Sequence, residues 1–425
     1  MTRLLSGFAI LLLSTMTFAD DWPAWRGPTG QGQCFEKNLP LKWSDKENVK
    51  WKIKLEYPGN STPIVWKDKI FLTLANKDGS VRSLMCFDRA DGKKHWQKDV
   101  AYKDKEINWG GITFTNSSPV TDGERVVACF ASAGLYCYDL DGKELWKRTD
   151  LGKWQHRFGT GSSPIFYGDF CILYLGPDES KGPNGLLAVN KKTGETVWEK
   201  KQTALWKKRV DSGSWGTPVI VQIDGQDQLL YCPGFSLESV DPKTGKELWT
   251  CEGLMEYVYN SPLYSPEHKI AVAMSGYQKS ALAVKITGSA QYTKKDLLWH
   301  HPRNDQRVGS GVIVGDHFYI YEEGGTAIPD AIGPKCFELK TGNEVWQLPK
   351  KIGGVNWGSM VHADGRLYVL TRDGTTFVMK ASPKFELLAT NRLEKGESTN
   401  SSPAMSNGEI FLRTNRHLWC ISEKK

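Results

Sequence analysis

The stretch DPKTGKELW, Asp241–Trp249, reads as a strand end, a tight Thr-Gly turn and a second strand that carries a tryptophan. It recurs through the chain. CFDRADGKKHW ends at Trp96, CYDLDGKELW at Trp146, AVNKKTGETVW at Trp198 and CFELKTGNEVW at Trp346. A looser copy, AVKITGSAQYTKKDLLW, carries an insertion in its hairpin and ends at Trp299, and FVMKASPKFELL places Leu388 where the tryptophan belongs. The Asp/Thr-Gly turns suit tight hairpins that need a positive φ. A flat tryptophan on each outer strand suits the wedge between neighbouring twisted sheets.

A second signature precedes each hairpin. It reads NSTPIVWKDKIFLT from Asn60, TNSSPVTDGERVVACF from Thr115, GTGSSPIFYGDFCILYL from Gly159 and SWGTPVIVQIDGQDQLLYC from Ser214. Weaker copies start at Asn260, Val308, Asn356 and Thr399. Each copy gives two short apolar strands before the hairpin supplies two more, and a four-strand unit repeating at about 42 to 52 residues is a propeller-blade period. The last copy stops at HLWCISEKK without its own closing strand. NVKWKIKL, Asn48–Leu55, alternates like a strand and belongs to no other unit. Used as the outer strand of the last blade, it closes the ring and removes two sheet edges. The expectation is therefore an all-β, eight-bladed β-propeller of four-stranded antiparallel blades, closed by its N-terminal strand. Trp51, Trp96, Trp146, Trp198, Trp249, Trp299 and Trp346, with Leu388, form its structural set.

The N-terminus carries Arg3, an apolar run Leu4–Phe18 and small residues Thr17 and Ala19, the pattern of a secretory signal peptide. The division expected is a signal peptide over 1–19, an extension over 20–47 and the propeller over 48–425. No cysteine stands at the cut to receive lipid, so a periplasmic or secreted protein is expected, without a transmembrane segment and as a monomer. The net charge of +7 is scattered over turn lysines, which argues against nucleic acid. Of nine cysteines, Cys86, Cys137, Cys336 and Cys420 occupy one repeat position where other copies have Ala188, Ser239 and Ala283. That slot calls for a small buried residue. Cys129 and Cys137 could face each other across the SAG turn in a local bridge.

With S-S-P openers and A-V-D-x-x-T-G-K-x-x-W closers, the chain resembles the pyrroloquinoline-quinone (PQQ) repeat family of propellers. Its opening DWPAWRGPTGQG is similar to the start of exported members, especially planctomycete-like ones. The resemblance implies one of two functions. One branch oxidises alcohols or sugars with PQQ held by calcium at one mouth of the ring; the other comprises non-catalytic binding scaffolds. The adjacent cysteine pair and long insertions of the enzyme branch are absent here, and no residue matches its calcium ligands.

Blade topology gathers the links between blades on one face, together with the loops between second and third strands. Those links supply the candidate ligand-binding residues Trp109, Trp154, His156, Arg157, Trp215, Tyr257, Arg307 and Trp357. Aromatic rings mixed with Arg, Asn and acids make a mouth for a polar ligand or peptide. Asp178, Glu179, Glu322, Glu323 and Asp330 come from the two longest loops of the same face and are the acids available to calcium. The remaining histidines show no metal spacing, so no metal site and no catalytic residue is assigned. The leading expectation is an exported binding propeller that takes an envelope or extracellular protein or glycan. A PQQ- and calcium-dependent dehydrogenase and a carbohydrate-binding propeller are the alternatives.

Overall fold

A computed structural model describes residues 21–107, 113–156, 158–176, 184–202, 213–276, 280–303, 308–322, 333–346, 348, 352 and 354–423. They form eight four-stranded antiparallel blades in a ring. Blade 1 runs Ile64–Trp66, Lys69–Ala75, Val81–Asp88 and Lys94–Ala101 from axis to rim. Blades 2 to 7 repeat this order. Blade 8 takes Ala404–Ser406, Glu409–Arg413 and His417–Ile421 from the end of the chain and Val49–Lys54 from near its start. The two ends meet as a hairpin would, with Trp51 opposite Cys420 and Ser422 N donating to Asn48 O at 2.8 Å.

The recurrent tryptophan bonds each blade to the next. The indole Nε1 of Trp51 donates to Arg89 O at 2.9 Å, Trp96 to Leu140 O at 3.0 Å and Trp146 to Lys191 O at 3.0 Å. Trp198, Trp299 and Trp346 do the same to Pro242 O, Leu339 O and Ser382 O. Each acceptor lies in the closing hairpin of the following blade. The glycine of that hairpin then packs on the indole face. An added Cβ at Gly92, Gly142, Gly194, Gly245 or Gly342 would fall 2.6–2.9 Å from ring atoms of Trp51, Trp96, Trp146, Trp198 or Trp299. All five glycines have φ between +69° and +86°, so the turn needs glycine twice over.

Trp249 breaks the series for a visible reason. The insertion in the next hairpin adds strand Gln291–Tyr292 alongside Glu247–Glu252, and Tyr292 meets the Trp249 ring edge-on at 5.6 Å. The indole turns to Gln228 Oε1 in its own blade at 2.8 Å.

The small slot of the hairpin is the cross-strand partner of the tryptophan. Cys86 faces Trp96, Cys137 faces Trp146, Ala188 faces Trp198, Ser239 faces Trp249, Ala283 faces Trp299 and Cys336 faces Trp346. A larger side chain there would push the indole out of its wedge. All nine cysteines are buried free thiols. Cys129 pairs across from Leu135 and Cys137 from Val127, so the register does not set the two against each other in the local bridge that the sequence left open.

Residues 21–41 form a plug that visits the blades in turn. Trp22 exchanges backbone hydrogen bonds with Val65 of blade 1, and Thr121 N of blade 2 donates to Pro23 O at 2.9 Å. Ala24 packs against the core shared by blades 2 and 3, and Gly30 approaches Val219 of blade 4. Tyr264 N of blade 5 donates to Gln31 Oε1 at 2.7 Å, and Gln33 Nε2 donates to Ile313 O of blade 6 at 2.7 Å. Gln33–Cys34 then runs parallel to the inner strand of blade 7, and Glu36 accepts the backbone N–H groups of Asn407 and Gly408 in blade 8. Most of these contacts fall on or just after the inner strands, beyond the inter-blade links that precede them. The segment therefore closes the mouth opposite those links, and Arg26, fully buried, donates to Gly311 O inside the closure.

Candidate functional site

On the linking-loop face each inner strand begins with a Ser or Thr that bonds to the next blade. Thr62 N donates to Ser118 Oγ, Ser118 N to Ser163 Oγ and Ser163 N to Thr217 Oγ1, all at 2.9 Å. Ser261 Oγ donates to Thr217 O, Ser261 N to Ser310 Oγ, Ser310 N to Ser359 Oγ, Ser359 N to Ser402 Oγ, and Ser402 N to Thr62 Oγ1. The circle is closed. One Ser or Thr of each opener, just before the inner strand, is thus committed to the ring, whereas Ser162 Oγ is buried without a hydrogen-bond partner.

Two residues upstream of this circle the mouth divides into unlike halves. Asn400 Nδ2 donates to Asn60 Oδ1 at 3.1 Å, Asn60 Nδ2 to Asn116 Oδ1 at 2.8 Å and Asn116 Nδ2 to Thr160 O at 2.8 Å. The opposite half carries Trp215, Tyr259 and Trp357 at the same position. Sequence reasoning missed the asparagine arc because its members look like part of the blade repeat.

The aromatic half is a cluster rather than an open row. The Trp215 ring lies 4.8 Å from His156, edge-on, 4.6 Å from Tyr259 and 6.3 Å from Tyr257. Phe158 joins at 5.4 Å from His156. His156 is 1% exposed and accepts the Phe158 N–H at Nδ1, 3.1 Å away, while Trp215 Nε1 donates to Gly159 O at 2.8 Å. These two residues form the floor; Phe158, Tyr257 and Tyr259, half-buried, form its outer surface. Tyr257 adopts a φ of +65°, a strained backbone for a bulky residue. Further round the same half, the Arg372 guanidinium lies 4.1 Å from the centre of the half-buried Trp357 ring, a cation–π platform.

The other expected residues divide. Trp154 is buried among Leu151, Leu173 and Leu175, with its backbone N–H donating to Ser132 Oγ at 2.8 Å, and so belongs to the core between blades 2 and 3. Trp109, Arg157 and Arg307 lie outside the described residues, as do Asp178, Glu179, Glu323 and Asp330. At the rim a cavity of about 780 Å³ spans blades 3 to 5 and is lined by Lys200, Glu238, Met255 and His300. Glu238 is buried and already engaged by Tyr231 Oη, Ser236 Oγ and Gln202 Nε2. The histidines also hold one surprise: Glu394, Glu397 and His417 place ligand atoms within 4.8 Å of one another, which no sequence spacing announced.

A family profile described as outer membrane protein assembly factor BamB matches residues 41–152 and, overlapping them, 83–328. The chain belongs to this family of PQQ-like repeat propellers. Solved structures similar to the chain carry the same fold on both branches of that repeat. BamB from Moraxella catarrhalis is 14% identical with a TM-score of 0.59, over 88% of this chain and 96% of that one. The quinohemoprotein alcohol dehydrogenase from Comamonas testosteroni is 12% identical with a TM-score of 0.66, over 96% and 81%. A europium-containing methanol dehydrogenase is 12% identical with a TM-score of 0.65, over 92% and 88%. Comparison with curated proteins finds no match in sequence. At such identities the structural likeness is one of fold, and chemistry has to be read from the site.

The described mouth of this PQQ-like propeller fits a quinone with calcium poorly. Calcium asks for several free oxygen ligands converging on one point. The amides of Asn60 and Asn116 are bonded along the arc, and Glu322 is buried against Lys335 at 3.2 Å. Glu106, in the link between blades 1 and 2, is likewise paired with Arg82 at 2.7 Å. Among the described residues no helix is long and apolar enough to cross a membrane.

Proposed function

We propose that this chain is a non-catalytic binding propeller of the cell envelope that receives a polypeptide segment on its linking-loop face. The observation that carries the reading is the asymmetry of the two mouths. Residues 21–41 fill one of them, whereas the other presents half-buried Phe158, Tyr257, Tyr259 and Trp357 with Arg372. Aromatic and arginine anchors around a rigid frame are the groups that dominate protein interfaces. Membership of the BamB family supports the same direction, since the profile is described by a role in outer membrane protein assembly. Export by cleavage after Ala19 belongs to this proposal.

The test is a calorimetric titration of the purified chain with PQQ in the presence of calcium. The binding reading expects no saturable, calcium-dependent heat. Saturable binding that disappears on calcium removal would overturn it in favour of a quinone-dependent dehydrogenase.

A further inference from the structure

We infer that Glu394, Glu397 and His417 form a binding site for a divalent transition-metal ion at the junction of blades 7 and 8. The glutamates lie in the link that follows strand Leu387–Arg392, and the histidine opens strand His417–Ile421. A turn closed by Glu397 N donating to Glu394 O at 3.2 Å sets the two carboxylates near each other. His417 is held from below by its own backbone N–H, which bonds Thr414 Oγ1 at 2.9 Å, and by the Trp419 ring, 5.8 Å away and edge-on. One ligand atom from each of the three residues lies within 4.8 Å of the others.

A second observation points to an ion rather than to a simple ion pair. The Glu397 side chain is completely buried; its Oε1 contacts His417 Nδ1, while Oε2 is buried with no hydrogen-bond partner. Buried carboxylate oxygens are almost always paired, because an orphan pays its full desolvation cost. A cation held between Glu397 and His417 satisfies that oxygen directly. Zinc–ligand distances of about 2.0–2.2 Å need only modest convergence from the present spacing. One imidazole with two carboxylates suits Zn²⁺, Co²⁺ or Mn²⁺, whereas Ca²⁺ and Mg²⁺ prefer all-oxygen sets.

Glu394 is the movable arm. It is 44% exposed and now bonds Lys52 Nζ at 2.9 Å, a surface pair that is easily exchanged. Lys52 keeps a second contact, 4.8 Å above the Trp419 ring, when Glu394 turns to a metal. Three protein ligands leave one position of a tetrahedral ion for water, the open arrangement in which a metal is exchangeable.

The experiment is titration of the metal-stripped, purified chain with ZnCl2 by calorimetry, with CoCl2 as a spectroscopic probe. The site predicts one equivalent of bound ion, visible tetrahedral Co²⁺ bands and a thermal midpoint that rises with zinc. His417→Gln and Glu394→Gln should each weaken binding at least tenfold. Lys52→Ala, by freeing Glu394, should strengthen it several-fold, an effect that a plain Glu–His pair has no means of producing. Glu394 is exposed, so that variant tests the site even where Glu397→Gln fails to fold. No zinc binding at 100-fold excess, or binding unchanged in both His417→Gln and Glu394→Gln, overturns the proposal.

Discussion

Trp146 and Gly194 depend on each other. The indole bonds the hairpin carbonyl of Lys191 while the glycine lets that hairpin lie flat on the ring. Trp146→Ala should cost about 3–5 kcal/mol through the gap it leaves between blades 2 and 3, measured by denaturant unfolding. A loss below about 1 kcal/mol would mean the side chain does not fill the wedge. Gly194→Ala should cost clearly more than Gly225→Ala. Both have positive φ, but an added Cβ at Gly194 lies 2.7 Å from Trp146, whereas nothing lies within 4 Å of Gly225. Equal losses would show that the backbone alone requires the glycine. Burial also pushes the Cys86, Cys137 and Cys336 thiols up to about 12. The native chain should therefore resist a thiol reagent at pH 8, and all nine thiols should react once it is unfolded without reductant. The small slot that four of these cysteines fill was legible in the repeat, but its reason, a tryptophan across the strand pair, was not. Burial of Trp154 and His156 was equally hidden, since a link between blades reads as a surface loop until its fold is known.

Two elements hold the ring from outside the blade repeat. Strand Val49–Lys54 was legible because it alternates and because the last blade lacked a strand. Deleting 48–55 should open the ring and abolish the cooperative thermal transition, and unchanged thermal stability would rule out closure by this strand. The plug was not legible. Its partners are backbone groups and short side chains scattered over eight inner strands, and no spacing within DWPAWRGPTGQGQ encodes them. The plug also carries a pH dependence. His362 Nδ1 contacts Gln33 Oε1 at 2.6 Å, and burial lowers the imidazole's pKa, with Asp364 partly opposing. A folded pKa below the unfolded value means that the unfolded chain takes up the proton first as pH falls. Stability from this group is complete above about pH 6.5 and declines below it until the folded pKa is passed. His362→Gln should flatten that acid slope in denaturant midpoints between pH 7 and pH 5; an unchanged slope would remove His362 as its source.

At the scale of the whole molecule, the repeat makes a frame and the non-repeating parts make its two faces different. Eight tryptophan positions, seven filled by Trp and one by Leu388, spend the most conspicuous residues of the sequence on packing. What remains for recognition is the irregular link chemistry on one face, with the plug sealing the other. A photo-crosslinking residue placed at Tyr257 or at Trp357, compared with one at Lys67 beside the plug, tests this division directly in cells that produce the protein. The account predicts discrete adducts to a polypeptide partner from Tyr257 and Trp357 and none from Lys67. Adducts from Lys67 alone would contradict it, because the partner would then dock on the face that the chain has closed.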